Sequence, residues 1–325
     1  MKGVFKMVKK RLLSFILLVV MMVSVFTGCK SEQNIEKEND EVSNTTVQEN
    51  ITTNDESTDI TCVSFNILGV DSNGYLPCNM RAGFLSEFLL QINADLIGLQ
   101  EAGSHSFDWT KELYNAVCKD DVYAGCRIKD EEGFQTTTVT ADGKTPNSAG
   151  LMILYRTDRF ELEESGAQRY TSTEKQERYF QWVKLKDKKT GETVYMTNTH
   201  WSINWDSEGK ESKLAGNQHR TKEANELRGF WENVVGDNLL FATGDYNCLQ
   251  TYDEYQLLGQ GIYKEANEVF EFKGRPLTHI DNCFINSERQ DVLEYRFLED
   301  KFEFGAAEYA YSDHQPLLVK VSYKK

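Results

Sequence analysis

Residues 238–248 read NLLFATGDYNC. Leu239 to Ala242 make a short apolar run of the kind that becomes a buried strand, and the chain leaves it through Thr-Gly into an acid, an aromatic and an amide. Taken alone, Asp245 and Asn247 in TGDYN make an ordinary turn. The same arrangement recurs along the chain. ITCVSFNIL (60–68) carries Asn66, ADLIGLQEAG (94–103) runs into Glu101, and the strand ending TNTHW (197–201) carries His200. LTHIDNCFIN (277–286) carries Asp281, and YSDHQP (311–316) sets Asp313 and His314 at the mouth of the last strand, QPLLVKVSY. These eight polar residues are read as sitting at or just past the ends of six short apolar strands. Strand ends of layered folds converge on one rim, so the eight are expected to meet in one cleft.

Each has a bland reading. Asn66 suits a turn, Glu101 a surface acid, His200 a satisfied core histidine, and Asp281 a capped strand edge. Only their joint occurrence points to a site.

The other elements fix the class. RAGFLSEFLLQIN (81–93) places Phe84, Leu85, Phe88 and Leu89 at helical spacing, and a second helical segment covers Trp109 to Val117. Between Leu214 and Val235, Leu227, Phe230, Trp231 and Val234 mark a third helix. NSAGLMILYR (147–156) reads as a strand, and FQWVKLKDKKTGETVYMTNTHW (180–201) as a hairpin with a polar, glycine-containing turn. Helices and strands interleave, but hairpins exclude an all-parallel sheet.

The first 28 residues have five positive charges by Arg11 and then an uncharged run from Leu12 to Gly28. At 17 residues the run is short of the roughly 20 that a spanning helix needs, and it reads as a secretory signal. Thr27 and Gly28 before Cys29 resemble the lipobox of bacterial lipoproteins, which implies a lipid on Cys29 and an anchor in the cell membrane, although Phe26 stands where Leu is usual. An uncleaved anchor is the alternative; both place the remainder outside the cytoplasm. Residues 29–59, with nine acids, two lysines and no aromatic, read as an unfolded acidic tether. Residues 60–325 are then the folded domain.

Without the signal's five positive charges the formal −15 becomes −20, and the tether's −7 leaves −13 on the domain. No basic footprint for a phosphate backbone is present, which weakens without excluding a nucleic acid as substrate, the only role left to it, since a bound divalent cation can supply positive charge locally. Six further cysteines, 62, 78, 118, 126, 248 and 283, match no zinc spacing. Their pairing stays open, with Cys118 and Cys126 the nearest in sequence.

In order, SFNILG, DLIGLQE, NSAGLMILYR, TNTHW, ATGDYN, HIDNCF and YSDHQP resemble the motifs of the endonuclease/exonuclease/phosphatase superfamily, which includes DNase I-like nucleases, inositol polyphosphate phosphatases and bacterial sphingomyelinases. The resemblance implies an α/β sandwich of two packed mixed sheets flanked by helices, and a metal-dependent phosphoester hydrolase working as a monomer. It implies Glu101 as the main Mg²⁺ ligand with Asn66 and Asp313 beside it, Mn²⁺ and Ca²⁺ being alternative ions. Asp245 corresponds to the water-orienting acid, Asn247 to a phosphate donor, His200 and His314 to flanking imidazoles, and Asp281 to a partner orienting one of them.

The chemistry agrees. An anionic ester repels hydroxide, so a hard cation on carboxylate oxygen, a proton acceptor for water and donors for the phosphoryl oxygens are all required. Within that class, diester hydrolysis is expected ahead of phosphomonoester or lipid-headgroup cleavage. A binding lipoprotein that has lost catalysis is the reading from another class. Trp201-Ser202-Ile203-Asn204 stands where many relatives continue Leu-Asp; Trp201 and Trp205 are read as packing ahead of a substrate platform, and Arg220 as a surface charge.

Overall fold

The computed structural model describes residues 58–103, 107–126, 150–172, 177–271 and 279–324. The signal at 1–28, the lipidation of Cys29 and nearly all of the tether at 29–59 lie outside the described residues.

Along the chain the strands are β1 (Ile60–Asn66), β2 (Leu96–Gln100), β3 (Tyr123–Cys126), β4 (Met152–Arg156), β5 (Phe160–Arg169), β6 (Tyr179–Asp187) and β7 (Thr193–His200). There follow β8 (Leu239–Asp245), β9 (Tyr263–Glu265), β10 (Asp281–Asn286), β11 (Gln290–Phe297), β12 (Lys301–Phe304), β13 (Ala307–Ala310) and β14 (Leu317–Tyr323). They form two sheets, ordered β11-β14-β1-β2-β4-β3 and β5-β6-β7-β8-β10-β9, with β12 and β13 as a separate hairpin. Both sheets have the same pairing: one central parallel pair, β1 with β2 and β7 with β8, and antiparallel strands on either side.

A parallel pair needs a crossover, and the helices Cys78–Ile92 and Lys213–Phe230 are those crossovers. Asn93, with φ 52, closes the first through its N–H on Leu89 O. Ser212 opens the second by accepting from Ala215 N.

Alternation along the strands makes the layers. Val63, Phe65, Ile97 and Leu99 pack with Leu85, Leu89 and Leu113 of the helices on one outer face. Leu240 and Ala242 pack with Leu227 and Trp231 on the other. Ile60, Cys62 and Leu96 meet Val194, Met196, Leu239 and Phe241 between the sheets. This is the two-sheet sandwich with flanking helices that the motifs imply.

The predicted helices and the 180–201 hairpin are present, Gly191 making its turn with φ 74. Val234 differs. The helix ends in a π turn, Trp231–Val235, which shifts the register so that Trp231 is buried and Val234 is 45% exposed. All six cysteines from Cys62 to Cys283 are free thiols.

Candidate active site

Each parallel ladder ends flush, Asn66 opposite Gln100 and His200 opposite Asp245. Between the sheets the inward positions are apolar where these strands begin and polar where they end: Ser64, Asn66, Gln100, Asn198, His200, Thr243 and Asp245 are all buried. Beneath the rim the polar groups bond one another, with Gln100 Oε1 buried and left without a partner. Gln100 Nε2 donates to Asn198 Oδ1 at 2.7 Å, Thr243 Oγ1 to the same oxygen at 3.2 Å, and Asn198 Nδ2 to Leu99 O at 2.8 Å. Gly98 makes room for this layer, since a Cβ there would lie 2.1 Å from Thr243 Oγ1.

Above it, Asn66 Nδ2 bridges the sheets, donating to Glu101 Oε1 at 3.1 Å and to Asp245 Oδ2 at 2.9 Å. Gly69 N donates to Glu101 Oε2 at 3.0 Å, and Asn247 N to Asp245 Oδ1 at 2.9 Å. His200 Nε2 stands 3.4 Å and His314 Nε2 3.8 Å from Asp245 Oδ2. The far ring nitrogen of His314, Nδ1, is 2.8 Å from Asp281 Oδ2. Ser312 Oγ holds this corner, donating to Asn66 O at 2.7 Å and accepting from His314 N at 3.2 Å. Leu68, Glu101 and Asn247 all have positive φ (54, 58 and 46), so left-handed backbone collects at this rim.

Burial pushes the Asp245 carboxyl up, the neighbouring charge of Asp281 adds to this, and His314 and Asn66 oppose it. Burial works against a charged His314, but the hydrogen bond and charge of Asp281, then Asp245 and Asp313, outweigh it and raise its pKa. Burial, followed by the positive charges of Arg178 and His314, drives His200 well below the ordinary histidine value and keeps it neutral. The Glu101 carboxylate beside the Asn66 amide suits a hard divalent cation. A different set, Asp245, Asp281 and His314, also has ligating atoms within 4.8 Å of one another, and Asp281 Oδ1 and His200 Nδ1 are buried with no hydrogen-bond partner.

Hydrogen bonds and close polar contacts thus link seven of the eight expected residues. Asp313 is adjacent to them but exposed; its Oδ1 is 3.3 Å from Ser312 Oγ, and its charge acts on His314. Asp281 corrects one expectation: it begins β10 instead of ending a strand. Because β10 runs antiparallel to β8, its first residue lies opposite Asp245 and so reaches the rim. Asn247 Nδ2 donates to Trp201 O at 3.0 Å, leaving its second N–H for a ligand.

Arg220 corrects another. It is buried, paired with Glu254 at 3.1 Å and bonded to Asn204, Asn217 and Ser202 O, so it fixes the loop after β7. Trp201 is wholly buried against Tyr246, as packing requires. The motifs drew no attention to Gly69, Ser312 or Arg178, though Gly69 closes SFNILG and Ser312 lies inside YSDHQP.

A two-sheet sandwich whose two parallel strand pairs end in acids, amides and an imidazole at one rim has the architecture of DNase I-like phosphoesterases. Residues 63–314 match the model of the Endonuclease/Exonuclease/phosphatase family. The chain belongs to that family, whose members are divalent-metal-dependent phosphoester hydrolases. Among solved structures, the endonuclease/exonuclease/phosphatase of Bacteroides vulgatus is similar at 20% identity and TM-score 0.62, covering 82% of this chain and 100% of its own. The mannosyl-6-phosphatase of Bacteroides thetaiotaomicron is similar at 19% and 0.59, covering 81% and 99%. TDP2 of D. rerio, complexed with a single-strand DNA product, is similar at 16% and 0.61, covering 82% and 100%. No curated protein sequence matches significantly.

Proposed function

We propose that the chain is a Mg²⁺-dependent phosphodiesterase, held outside the cytoplasm by a lipid on Cys29, that acts on small diesters in preference to nucleic acid. The observation that carries the reading is the Asn66 amide, which joins Glu101 of one sheet to Asp245 of the other and so makes a single rim from residues far apart in sequence.

Glu101, Asn66 and Asp313 would hold the ion. When bound, it supplies positive charge against the phosphoryl oxygens and lowers the pKa of water. Asp245 takes the proton of the attacking water; its oxygens are oriented by Asn66 and Asn247, and its raised pKa brings it nearer neutrality. His314, kept charged through Asp281, donates to the negative oxygens. Neutral His200 keeps a ring nitrogen for substrate. A monoanionic diester meets less repulsion from a domain of formal charge −13 than a dianionic monoester or a polyanion does.

The test is hydrolysis of bis-p-nitrophenyl phosphate, p-nitrophenyl phosphate, sphingomyelin and plasmid DNA, with Mg²⁺ and with EDTA. Diester turnover that needs Mg²⁺ and disappears in Asp245→Ala and His314→Ala is expected. Full turnover in EDTA, or faster release from the monoester, the lipid or DNA, counts against the reading. Fatty-acid labelling in cells should mark the wild type and spare Cys29→Ser.

A further inference from the structure

Arg81 stands in the first turn of the helix Cys78–Ile92 and is fully buried. Its guanidinium is spent on backbone carbonyls. Nε donates to Leu76 O at 3.0 Å, Nη1 to Ile67 O at 2.9 Å and to Tyr311 O, and Nη2 to Leu68 O at 2.6 Å and Val70 O at 3.2 Å. The plane lies over the Trp109 ring, 5.2 Å from its centroid, and Trp109 Nε1 donates to Gly69 O at 3.0 Å.

A peptide unit is planar, so gripping a carbonyl orients the N–H of the next residue. The Ile67 carbonyl shares its plane with Leu68 N, which donates to Asn66 Oδ1 at 3.1 Å. The Leu68 carbonyl shares its plane with Gly69 N, which donates to Glu101 Oε2 at 3.0 Å. Tyr311 leads directly into Ser312, whose Oγ holds Asn66 O. Leu68 itself is left-handed at φ 54, a conformation that persists only when its surroundings hold it.

We propose that Arg81 is a positioning residue for the ion-holding end of the site: by fixing the Ile67–Leu68 and Leu68–Gly69 peptide planes it aims the two N–H groups that orient Asn66 and Glu101. This rests on the reading of those residues as the ion's holders. Donation to a polarised carbonyl also strengthens the N–H of the same unit. A lysine ammonium, a single point donor, does not reproduce the fork.

Calorimetric titration with Mn²⁺ of the wild type, Arg81→Lys, Leu68→Gly, the double variant and Glu101→Gln tests this. Arg81→Lys is expected to bind the ion roughly tenfold or more weakly. Glycine takes positive φ without strain, so the same change should cost less in the Leu68→Gly background. Unchanged affinity in Arg81→Lys, with binding abolished by Glu101→Gln, overturns the proposal while leaving the site reading intact. A wild type that binds no ion, or a Glu101→Gln that binds as well, sinks the reading and the proposal with it. If Arg81→Lys does not fold, amide hydrogen exchange of the wild type decides: Leu68 and Gly69 protected like β1 and β2 is expected, and exchange at open-loop rates overturns the proposal.

Discussion

Asp245 takes one N–H on each oxygen, from Asn66 and from Asn247, and has two imidazole rings within 3.8 Å. Replacing it with Asn keeps the shape and removes the proton acceptor. Asp245→Asn should therefore lower kcat for a diester by about 10²- to 10⁴-fold; near-wild-type kcat would remove Asp245 from the chemistry. Gly69 is a different kind of site residue. A Cβ there would lie 2.0 Å from Glu101 O, a backbone atom that cannot step aside. Gly69→Ala is expected to abolish ion binding in calorimetry, and retained affinity would show that the loop has room. Of this pair only Asp245 was legible in sequence, because an acid leaving an apolar strand is conspicuous. A glycine gripped by a carboxylate resembles any other loop glycine.

Elements transmit these constraints. Gly98 lets β2 approach β7 and β8 so that the buried amide layer can form under the rim. Gly98→Ala should cost about 1–3 kcal/mol in urea unfolding, and a neutral result would mean that the sheets tolerate wider spacing. At the far pole Asp187, which ends β6, accepts from Arg159 Nη2 at 3.1 Å and from Tyr323 Oη on β14, tying one sheet to the other. Burial pushes its carboxyl up, but these bonds and that from Lys189 N outweigh it and hold it below the ordinary range. A depressed acid adds stability above its unfolded pKa and loses it as pH falls through the folded value. Asp187→Asn should thus be less stable than wild type at about pH 7, and the gap should narrow towards about pH 3; a gap independent of pH would remove ionisation from the account. Apolar periodicity located the long helices and the 180–201 hairpin. It could not place Arg81 or Arg220, because a helix pattern does not tell a charge that faces water from one swallowed by a loop folding back over it.

The described domain is built on two like-paired sheets whose central parallel strands end at one rim. An ion held by Glu101, Asn66 and Asp313 would stabilise the folded state alone, by about 2.7 kcal/mol at a hundredfold excess over its dissociation constant. Mg²⁺ should raise the melting temperature and EDTA reverse the rise; a midpoint indifferent to both would argue against an ion at the rim. The sequence by itself determined the strands that end in polar residues, the crossover helices after β1 and β7, and seven motifs in family order, since apolar period and turn chemistry are local properties of the chain. Only the tertiary structure decided that Asp281 reaches Asp245 from the start of its strand, that Asn66 bridges two sheets, and that a buried guanidinium aims the amides around Glu101. Those facts depend on strand direction and sheet-to-sheet distance, which no stretch of residues encodes until the sandwich closes.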